Sequence, residues 1–221
     1  MKFFLDTANL EYIKKYNEMG VLDGITTNPT LLSKEKGNPT EIMKEIVRLV
    51  KGPVSLEVVS DSKESMIEEA HRLKQYGENV VVKIPMTEEG LKAVKALTVE
   101  GIKTNVTLIF SASQAIFASK AGASYVSPFI GRLDDIGKDG MTLISDIVQI
   151  FRNYKFSTQV LVASVRHPIH VLDAAKLGAD VVTLPPDVMG KLIFHPLTEK
   201  GLSIFLSDWE KVKNINPDLK F

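Results

Sequence analysis

The sequence predicts an α/β fold of the (β/α)8 class, a closed TIM barrel, with one additional helix at its C-terminal end. Short runs rich in Val, Ile and Phe alternate along the chain with segments whose apolar residues recur at helical spacing. This alternation requires parallel strands that are joined by right-handed crossovers. The repeating units are nearly equal in length, and no Gly-rich phosphate loop follows the first strand, where an open dinucleotide-binding sheet carries one. Both observations favour a closed barrel over an open sheet.

The strands are predicted from runs in which Val, Ile, Leu and Phe dominate. Most of these runs are short and predominantly apolar, as expected of parallel strands that are buried on both faces. The predicted strands cover residues 2–6, 22–26, 54–59, 79–84, 103–109, 124–129, 159–164 and 180–184.

Helices are predicted between the strands because residues that cap helices bound each periodic segment. Asn38 precedes Pro39, a residue suited to the first position of a helix, and Ser111 with Gln114 has the pattern of a capping box. The predicted helices lie near residues 9–19, 38–51, 62–76, 87–100, 111–121, 139–154, 167–177 and 186–194.

A last helix, near 197–213, exceeds the eightfold alternation. Leu202, Phe205, Leu206 and Trp209 recur along it at helical spacing, and the sequence leaves open whether they pack on the same barrel or on a neighbouring subunit. We expect a single domain, residues 1–221, in which 197–221 form this helix and a tail.

Composition excludes several classes of protein. Lys plus Arg and Asp plus Glu both number 27, so the formal charge is zero and no nucleic-acid partner is expected. Cysteine is absent, which excludes disulfides and thiolate metal sites. The sequence has no stretch of about 18 uncharged apolar residues, so we expect no membrane span. We expect a cytoplasmic enzyme that does not bind a membrane.

Catalytic groups of such a barrel lie at the carboxyl ends of its strands. Counting by twos along each strand selects the side chains that share the inward face. This rule selects polar residues at the ends of the first seven strands: Asp6, Thr26 with Asn28 just beyond it, Glu57, Lys83, Asn105, Thr107, Ser127 and Ser164. We therefore expect these side chains to converge on one mouth of the barrel.

Lys83 carries the most specific chemistry of this set. It lies in an apolar run, residues 80–85, and low polarity favours the neutral amine over the ammonium. A neutral amine is the nucleophile that forms a Schiff base with a ketone. From its position alone, two structural alternatives remain: a lysine that extends to solvent, or one that pairs with Glu57.

The other candidates also admit structural interpretations. Asp6 and Glu57 suit general acid–base catalysis, although Asp6 would also suit the cap of the first helix. Asn28 precedes a proline and fits a turn. Arg132 and Arg166 follow strands six and seven and suit a phosphate group, which guanidinium binds through two hydrogen bonds, although each is also common on a surface. The four histidines lack the spacing of a metal site, so we expect no bound metal ion.

Six segments resemble the motifs of the transaldolase family. They follow the family's order and extend over nearly the whole chain, and its length matches the small subfamily of short transaldolases and fructose 6-phosphate aldolases. The matching segments are FLDTA at 4–8, DGITTNPTL at 23–31, VVVKIP at 80–85, NVTL at 105–108, SPFIGR at 127–132 and ASVR at 163–166.

The resemblance implies a role for each matching residue. Lys83 would be the Schiff-base nucleophile, and Asp6 would exchange a proton with the C4 hydroxyl as the C3–C4 bond breaks or forms. Glu57 and Thr107 would hold a water that moves protons during Schiff-base formation and hydrolysis. The implied substrate-binding residues are Asn28, Asn105 and Ser127 for the dihydroxyacetone hydroxyls, Arg132, Ser164 and Arg166 for the phosphate, and Thr26 and Phe129 within the same motifs.

Two positions favour transfer over simple cleavage within the subfamily. The aldolase branch tends to carry Gln where Glu57 stands and Tyr where Phe129 stands. We therefore expect a transaldolase of the pentose phosphate pathway, which converts sedoheptulose 7-phosphate and glyceraldehyde 3-phosphate to erythrose 4-phosphate and fructose 6-phosphate. The alternative is a fructose 6-phosphate aldolase that releases free dihydroxyacetone.

Two further classes remain open: a sugar-phosphate isomerase with a carboxylate base, and a non-catalytic barrel that binds a metabolite. The Schiff-base chemistry needs neither a metal nor a cofactor, because the protonated imine withdraws electrons as a metal would. The resemblance also implies a homo-oligomer, a pentamer or decamer in which the last helix reaches a neighbouring subunit.

Overall fold

A closed barrel of parallel strands forms the centre of the computed structural model, which describes residues 1–216. Each strand pairs with the next along the chain, and the last pairs with the first. The strands are β1 (Lys2–Asp6), β2 (Gly24–Thr26), β3 (Val54–Glu57), β4 (Val80–Pro85), β5 (Thr104–Ile109), β6 (Tyr125–Pro128), β7 (Gln159–Val162) and β8 (Val181–Leu184). The predicted (β/α)8 fold is confirmed, although β2 begins later than predicted.

Helices surround this barrel and include those that the sequence predicts, in the predicted order. They are α1 (Leu10–Glu18), α2 (Pro29–Leu32), α3 (Pro39–Leu49), α4 (Lys63–Lys74), α5 (Glu88–Val99), α6 (Ala112–Ala121), α7 (Ile130–Asp134), α8 (Gly140–Tyr154), α9 (Pro168–Leu177), α10 (Pro186–Ile193) and α11 (Pro196–Ile215). None of the helices within residues 1–216 is both long and apolar enough to span a bilayer.

The short helices α2 and α7 were not predicted, because each is too short to show helical periodicity. Helix α2 begins where the sequence suggested a turn: the Asn28 side chain accepts a hydrogen bond from the backbone of Leu31, and Pro29 takes the first helical position. Helix α1 is capped by Asn9 and not by Asp6, which leaves the Asp6 carboxyl group available for other contacts.

Two apolar layers stabilise the barrel. The larger one lies between the strands and the helices, and the smaller one fills the interior with Phe4, Val81, Tyr125, Leu161, Ala163 and Val181. The ring of Phe4 occupies space beside Gly24, where a Cβ atom would lie 2.6 Å from that ring. The interior therefore holds packed side chains at this level, and the polar strand ends lie one layer further along the strands.

Strand register brings the polar ends together. Asp6 pairs with Thr26 and Thr26 with Ser55, while Glu57, two residues further along β3, pairs with Lys83, which pairs with Asn105. Since their side chains share the inward parity, they face the same end of the barrel interior.

Helix α11 has no fully buried residue in the described chain. Phe205 is 73% exposed, and Leu202 and Leu206 are also exposed. These three residues therefore do not pack on their own barrel, whereas Trp209 is partly buried. The predicted tail, 217–221, lies outside the described residues.

Candidate active site

The amine of Lys83 lies inside the mouth of the barrel. The side chain is only 5% exposed, so it does not extend to solvent. Its Nζ atom lies 3.0 Å from Oε2 of Glu57 and donates to the carbonyl oxygen of Thr27 at 3.1 Å. The pairing with Glu57 that the sequence left open is therefore observed, and it places a proton acceptor directly beside the amine.

Asp6 faces the same space from β1. Its Oδ1 atom accepts a hydrogen bond of 2.7 Å from the hydroxyl of Thr26. Burial raises the pKa of the Asp6 carboxyl group above its ordinary value, while the nearby charge of Lys83 and the hydrogen bond from Thr26 oppose that increase. A carboxylate with a raised pKa is a stronger base, which suits proton transfer to and from a substrate hydroxyl.

A second hydrogen-bonded group lies beside the amine on β5 and β6. The hydroxyl of Ser127 donates to Oδ1 of Asn105 at 2.7 Å, and Nδ2 of Asn105 donates to the hydroxyl of Ser55 at 3.2 Å. These bonds fix the Asn105 amide, because its oxygen and its nitrogen each have a defined partner.

Thr107 is fully buried at the end of β5, and its hydroxyl has no hydrogen-bond partner within residues 1–216. The pairing register shifts between Val106 and Ile109, and Leu108 adopts a positive φ of 60°. Such a bulge redirects the side chains of a strand and is frequent beside active sites. The unpartnered hydroxyl is a place where an ordered water would gain a hydrogen bond.

Two cavities meet over the amine. One has a volume of about 200 Å³. Its lining includes Asp6, Thr26, Asn28, Lys83, Ser127, Phe129, Arg132, Ser164 and Arg166. The other has a volume of about 360 Å³ and is lined by Glu57 and Leu108 together with Asn28, Lys83, Phe129 and Arg132. The remaining predicted residues, Asn105 and Thr107, are buried in the barrel and line neither cavity.

Two arginines contribute positive charge to the rim. Arg132 stacks over the ring of Phe129, with its guanidinium carbon 5.1 Å from the ring centroid. Arg166 donates to the carboxylate of Asp135 at 2.9 Å, and its side chain is 52% exposed. Both guanidinium groups can therefore reach an anion in the cavity, although Asp135 competes for one of them.

The backbone beside these arginines is tightly constrained. Ser164 adopts φ 61°, in the left-handed region that non-glycine residues rarely occupy. The amide of Gly131 donates to the carbonyl of Ser164 at 3.0 Å, and the amide of Arg166 donates to Nδ1 of the buried His170. These bonds hold the segment that carries Ser164 and Arg166 against α7 and α9.

Histidine and carboxylate residues give no indication of a metal centre. Within residues 1–216, no group of three or more His, Cys, Asp or Glu side chains could hold a metal ion. His167 stacks on His170, and Nε2 of His170 lies 3.1 Å from a carboxylate oxygen of Asp134. The two histidines therefore have structural partners.

Sequence reasoning missed Thr183 at the end of β8. This residue lines the cavity beside Asp6, and its hydroxyl lies 2.6 Å from the hydroxyl of Thr26. The inward parity with Val181 was the signal that could have identified it. No sequence signal pointed to the Thr27 carbonyl or to Asp135, because both acquire their contacts only through the fold.

Comparison with known proteins gives one consistent result. The family model described as Transaldolase/Fructose-6-phosphate aldolase matches residues 3–220. A protein named "Probable transaldolase" from Nitrosopumilus maritimus (strain SCM1) is 66% identical over 221 residues, which are all of both chains. A protein of the same name from Aquifex aeolicus (strain VF5) is 64% identical over 96% of this chain and 98% of its own.

Solved structures with low sequence identity share the fold alone. A mandelate oxidase mutant has a TM-score of 0.58 at 16% identity and matches 85% of this chain and 65% of its own. An inosine 5′-monophosphate dehydrogenase from Legionella pneumophila has a TM-score of 0.58 at 14% identity and matches 83% of this chain and 58% of its own. This chain spans less than two thirds of either structure.

Proposed function

This chain belongs to the transaldolase/fructose-6-phosphate aldolase family, and from that membership we propose that it transfers a dihydroxyacetone unit between sugar phosphates. Sedoheptulose 7-phosphate would be the donor and glyceraldehyde 3-phosphate the acceptor, with erythrose 4-phosphate and fructose 6-phosphate as products. The position of the Lys83 amine carries the proposal, since it is buried between Glu57 and the Thr27 carbonyl below an open cavity.

The first step is attack of the Lys83 amine on the ketose carbonyl. An ammonium group must lose a proton before it can attack, and Glu57 lies 3.0 Å from Nζ as an acceptor for that proton. The resulting carbinolamine loses water and becomes a protonated imine. A water held between Glu57 and the unpartnered hydroxyl of Thr107 would carry protons in this step and in the final hydrolysis.

Asp6 is the base for carbon–carbon cleavage. It takes the proton of the C4 hydroxyl, the C3–C4 bond breaks, and the aldose leaves as an aldehyde. The electron pair of the broken bond moves into the protonated imine and forms an enamine on Lys83. The acceptor aldehyde then adds to C3 of the enamine, and Asp6 returns the proton to the new alkoxide.

The remaining site residues position the substrate. Asn28, Asn105 and Ser127 would hold the hydroxyls of the dihydroxyacetone unit, with Thr26 beside them, and the polar groups of Asn105 and Ser127 are already oriented by mutual hydrogen bonding. Arg132, Ser164 and Arg166 lie at the other end of the same cavity, and the arginines would bind the phosphate through charge-assisted hydrogen bonds.

Phe129 and Glu57 favour transfer over release. Phe129 lines both cavities and has no hydroxyl with which to protonate the enamine, so the intermediate persists until an aldehyde arrives. The alternative, a fructose 6-phosphate aldolase, would protonate the enamine and release dihydroxyacetone.

A product assay separates the two activities. With both sedoheptulose 7-phosphate and glyceraldehyde 3-phosphate present, the proposal expects fructose 6-phosphate to accumulate. With fructose 6-phosphate and no acceptor, it expects only a slow release of dihydroxyacetone. Rapid accumulation of dihydroxyacetone without an acceptor would reject the transferase and support the aldolase.

The exposed face of α11 supports a homo-oligomer in which this helix packs on a neighbouring subunit, and the resemblance to the small transaldolases favours a pentamer or decamer. A helix with no fully buried residue gains stability chiefly from packing its exposed apolar face elsewhere. Phe205 and Leu206 would be buried in that contact. We also propose that the enzyme acts in the cytoplasm, where its phosphorylated substrates are produced.

A further inference from the structure

Thr183 has no part in the reaction described above, yet it occupies a central position in the site. It lies on β8 opposite Phe4 of β1, it is buried, and it lines the cavity next to Asp6. Its hydroxyl lies 2.6 Å from the hydroxyl of Thr26, which in turn lies 2.7 Å from Oδ1 of Asp6. Three polar groups from three adjacent strands thus form one chain of hydrogen bonds.

The direction of this chain follows from counting hydrogens. A threonine hydroxyl has one hydrogen to donate and can accept other hydrogen bonds. Thr26 gives its hydrogen to the carboxylate of Asp6, so the hydrogen in the bond between the two threonines must come from Thr183. The hydrogen-bond chain therefore runs from Thr183 through Thr26 to Asp6 and ends on the negatively charged carboxylate.

The opposite direction is less favourable. A neutral Asp6 could donate to Thr26, and Thr26 could donate to Thr183, but Thr183 would then have to direct its own hydrogen elsewhere. Within residues 1–216 the Thr183 hydroxyl has no other hydrogen-bond partner. The hydrogen bonds therefore run toward Asp6 and are strongest when Asp6 is ionised, because a carboxylate oxygen accepts a hydrogen bond more strongly than a neutral carboxyl oxygen does. The Oδ2 atom of Asp6 then has no hydrogen bond to a described residue and can accept a substrate proton.

We propose that Thr183 is a positioning residue for the proton-transfer step, which acts through Thr26 to hold Asp6 as a carboxylate with one oxygen free for the C4 hydroxyl. This inference rests on the proposed function, since it assigns Thr183 to the same reaction. Hydrogen bonds in a chain polarise one another, so the Thr183 hydroxyl strengthens the bond that Thr26 makes to Asp6.

Loss of the Thr183 hydroxyl has a defined consequence. A weaker hydrogen bond from Thr26 lets burial raise the pKa of Asp6 further, so a smaller fraction of Asp6 is ionised at a given pH. The acid limb of the activity profile then moves to higher pH. The other charged groups that line this cavity are Lys83, Arg132 and Arg166, with Glu57 on the far side of Lys83, and the substitution leaves all of them unchanged.

The test compares Thr183→Val, which keeps the shape and removes the hydroxyl, with Thr183→Ser, which keeps the hydroxyl. We expect Thr183→Val to lower kcat by roughly three- to tenfold, in line with the loss of one hydrogen bond, and to shift the acid limb upward. Thr183→Ser should retain the parent profile. Thr183→Ala gives the same comparison if Thr183→Val folds poorly, and Thr104→Val is a matched control on the helix-facing side of β5.

Two further measurements separate this role from a structural one. Borohydride trapping of dihydroxyacetone on Lys83 needs no C4 proton transfer, so its yield should be the same in Thr183→Val and in the parent protein. If Thr183 acts through Thr26, Thr183→Val should have no added effect on kcat in a Thr26→Val background. Additive effects of the two substitutions, or a parent-like kcat and pH profile in Thr183→Val, would overturn this inference but leave the proposed function intact. Failure of the parent protein itself to trap dihydroxyacetone would overturn the proposed function, and this inference with it.

Discussion

Gly131→Ala is expected to impair binding of the phosphate group with little effect on Schiff-base chemistry. A Cβ atom at this position would lie 2.2 Å from the carbonyl oxygen of Ser164 and 2.5 Å from Nε of Arg166. The Ser164 carbonyl cannot easily move, because it accepts the amide of Gly131 and its residue is held at φ 61°. The added methyl group must therefore displace the Arg166 side chain and also push the backbone of α7 away from Ser164.

The magnitude follows from these contacts. Overpacking of this kind typically costs about 1 to 3 kcal/mol of stability, which corresponds to a fall in Tm of roughly 2 to 12 °C for a chain of this size. A hydrogen bond to a charged group contributes about 1.5 to 3 kcal/mol. Because Arg166 is 52% exposed, solvent screening reduces that contribution, and we take its lower end, roughly a tenfold increase in KM.

The assay compares phosphorylated and unphosphorylated substrates. KM for fructose 6-phosphate with an acceptor should rise about tenfold, a loss of roughly 1.4 kcal/mol in binding, while borohydride trapping of dihydroxyacetone on Lys83 should keep its yield. Gly190→Ala is the matched control, because a Cβ atom there meets only the Tyr16 hydroxyl, at 3.4 Å. An unchanged KM in Gly131→Ala, with the fold intact, would refute the assignment of Arg166 to the phosphate.

Further predictions concern stability, products and assembly. Asp6→Asn removes a carboxyl group whose pKa is raised by burial, so it should abolish transfer yet increase Tm at neutral pH. This gain in Tm should vanish as the pH falls below about 4, where the carboxyl group is neutral in both the folded and the unfolded protein. A gain in Tm that persists below that pH contradicts the link between burial and ionisation. Thr104→Val removes a buried hydroxyl without a partner in the described chain and should stabilise the protein by about 1 kcal/mol in denaturant titrations, with activity unchanged. Glu57→Gln combined with Phe129→Tyr should increase the ratio of released to transferred dihydroxyacetone, and an unchanged ratio would count against both assignments. Phe205→Asp places a charge on the exposed face of α11 and should lower the mass in light scattering; an unchanged oligomer would exclude that face as the interface.

Much of the site was predictable because a single rule governs it. Side chains alternate along a strand, so Asp6, Lys83 and Asn105 could be assigned to the interior from their parity alone. Thr183 obeys the same rule, because it lies two residues after the inward-facing Val181 at the end of β8. The fold class was predictable for a similar reason, since eight alternating units leave few topologies open.

Contacts between distant segments were not predictable in the same way. The pairing of Glu57 with Lys83 depends on the register of β3 against β4, and the alternation of side chains along each strand determines the face of a residue but not its partner on the next strand. Asp135 meets Arg166 only because α7 folds back beside the segment after β7. Helix α7 itself has too few residues to show periodicity.

The central claim is that the Lys83 amine forms a covalent imine with a ketose. Borohydride reduction in the presence of dihydroxyacetone, followed by peptide mass spectrometry, tests this claim most directly. We expect a reduced three-carbon adduct on the peptide that contains Lys83, and no adduct in Lys83→Ala, which should fold normally and be inactive. Absence of the adduct in the parent protein, together with full activity of Lys83→Ala, would contradict the mechanism.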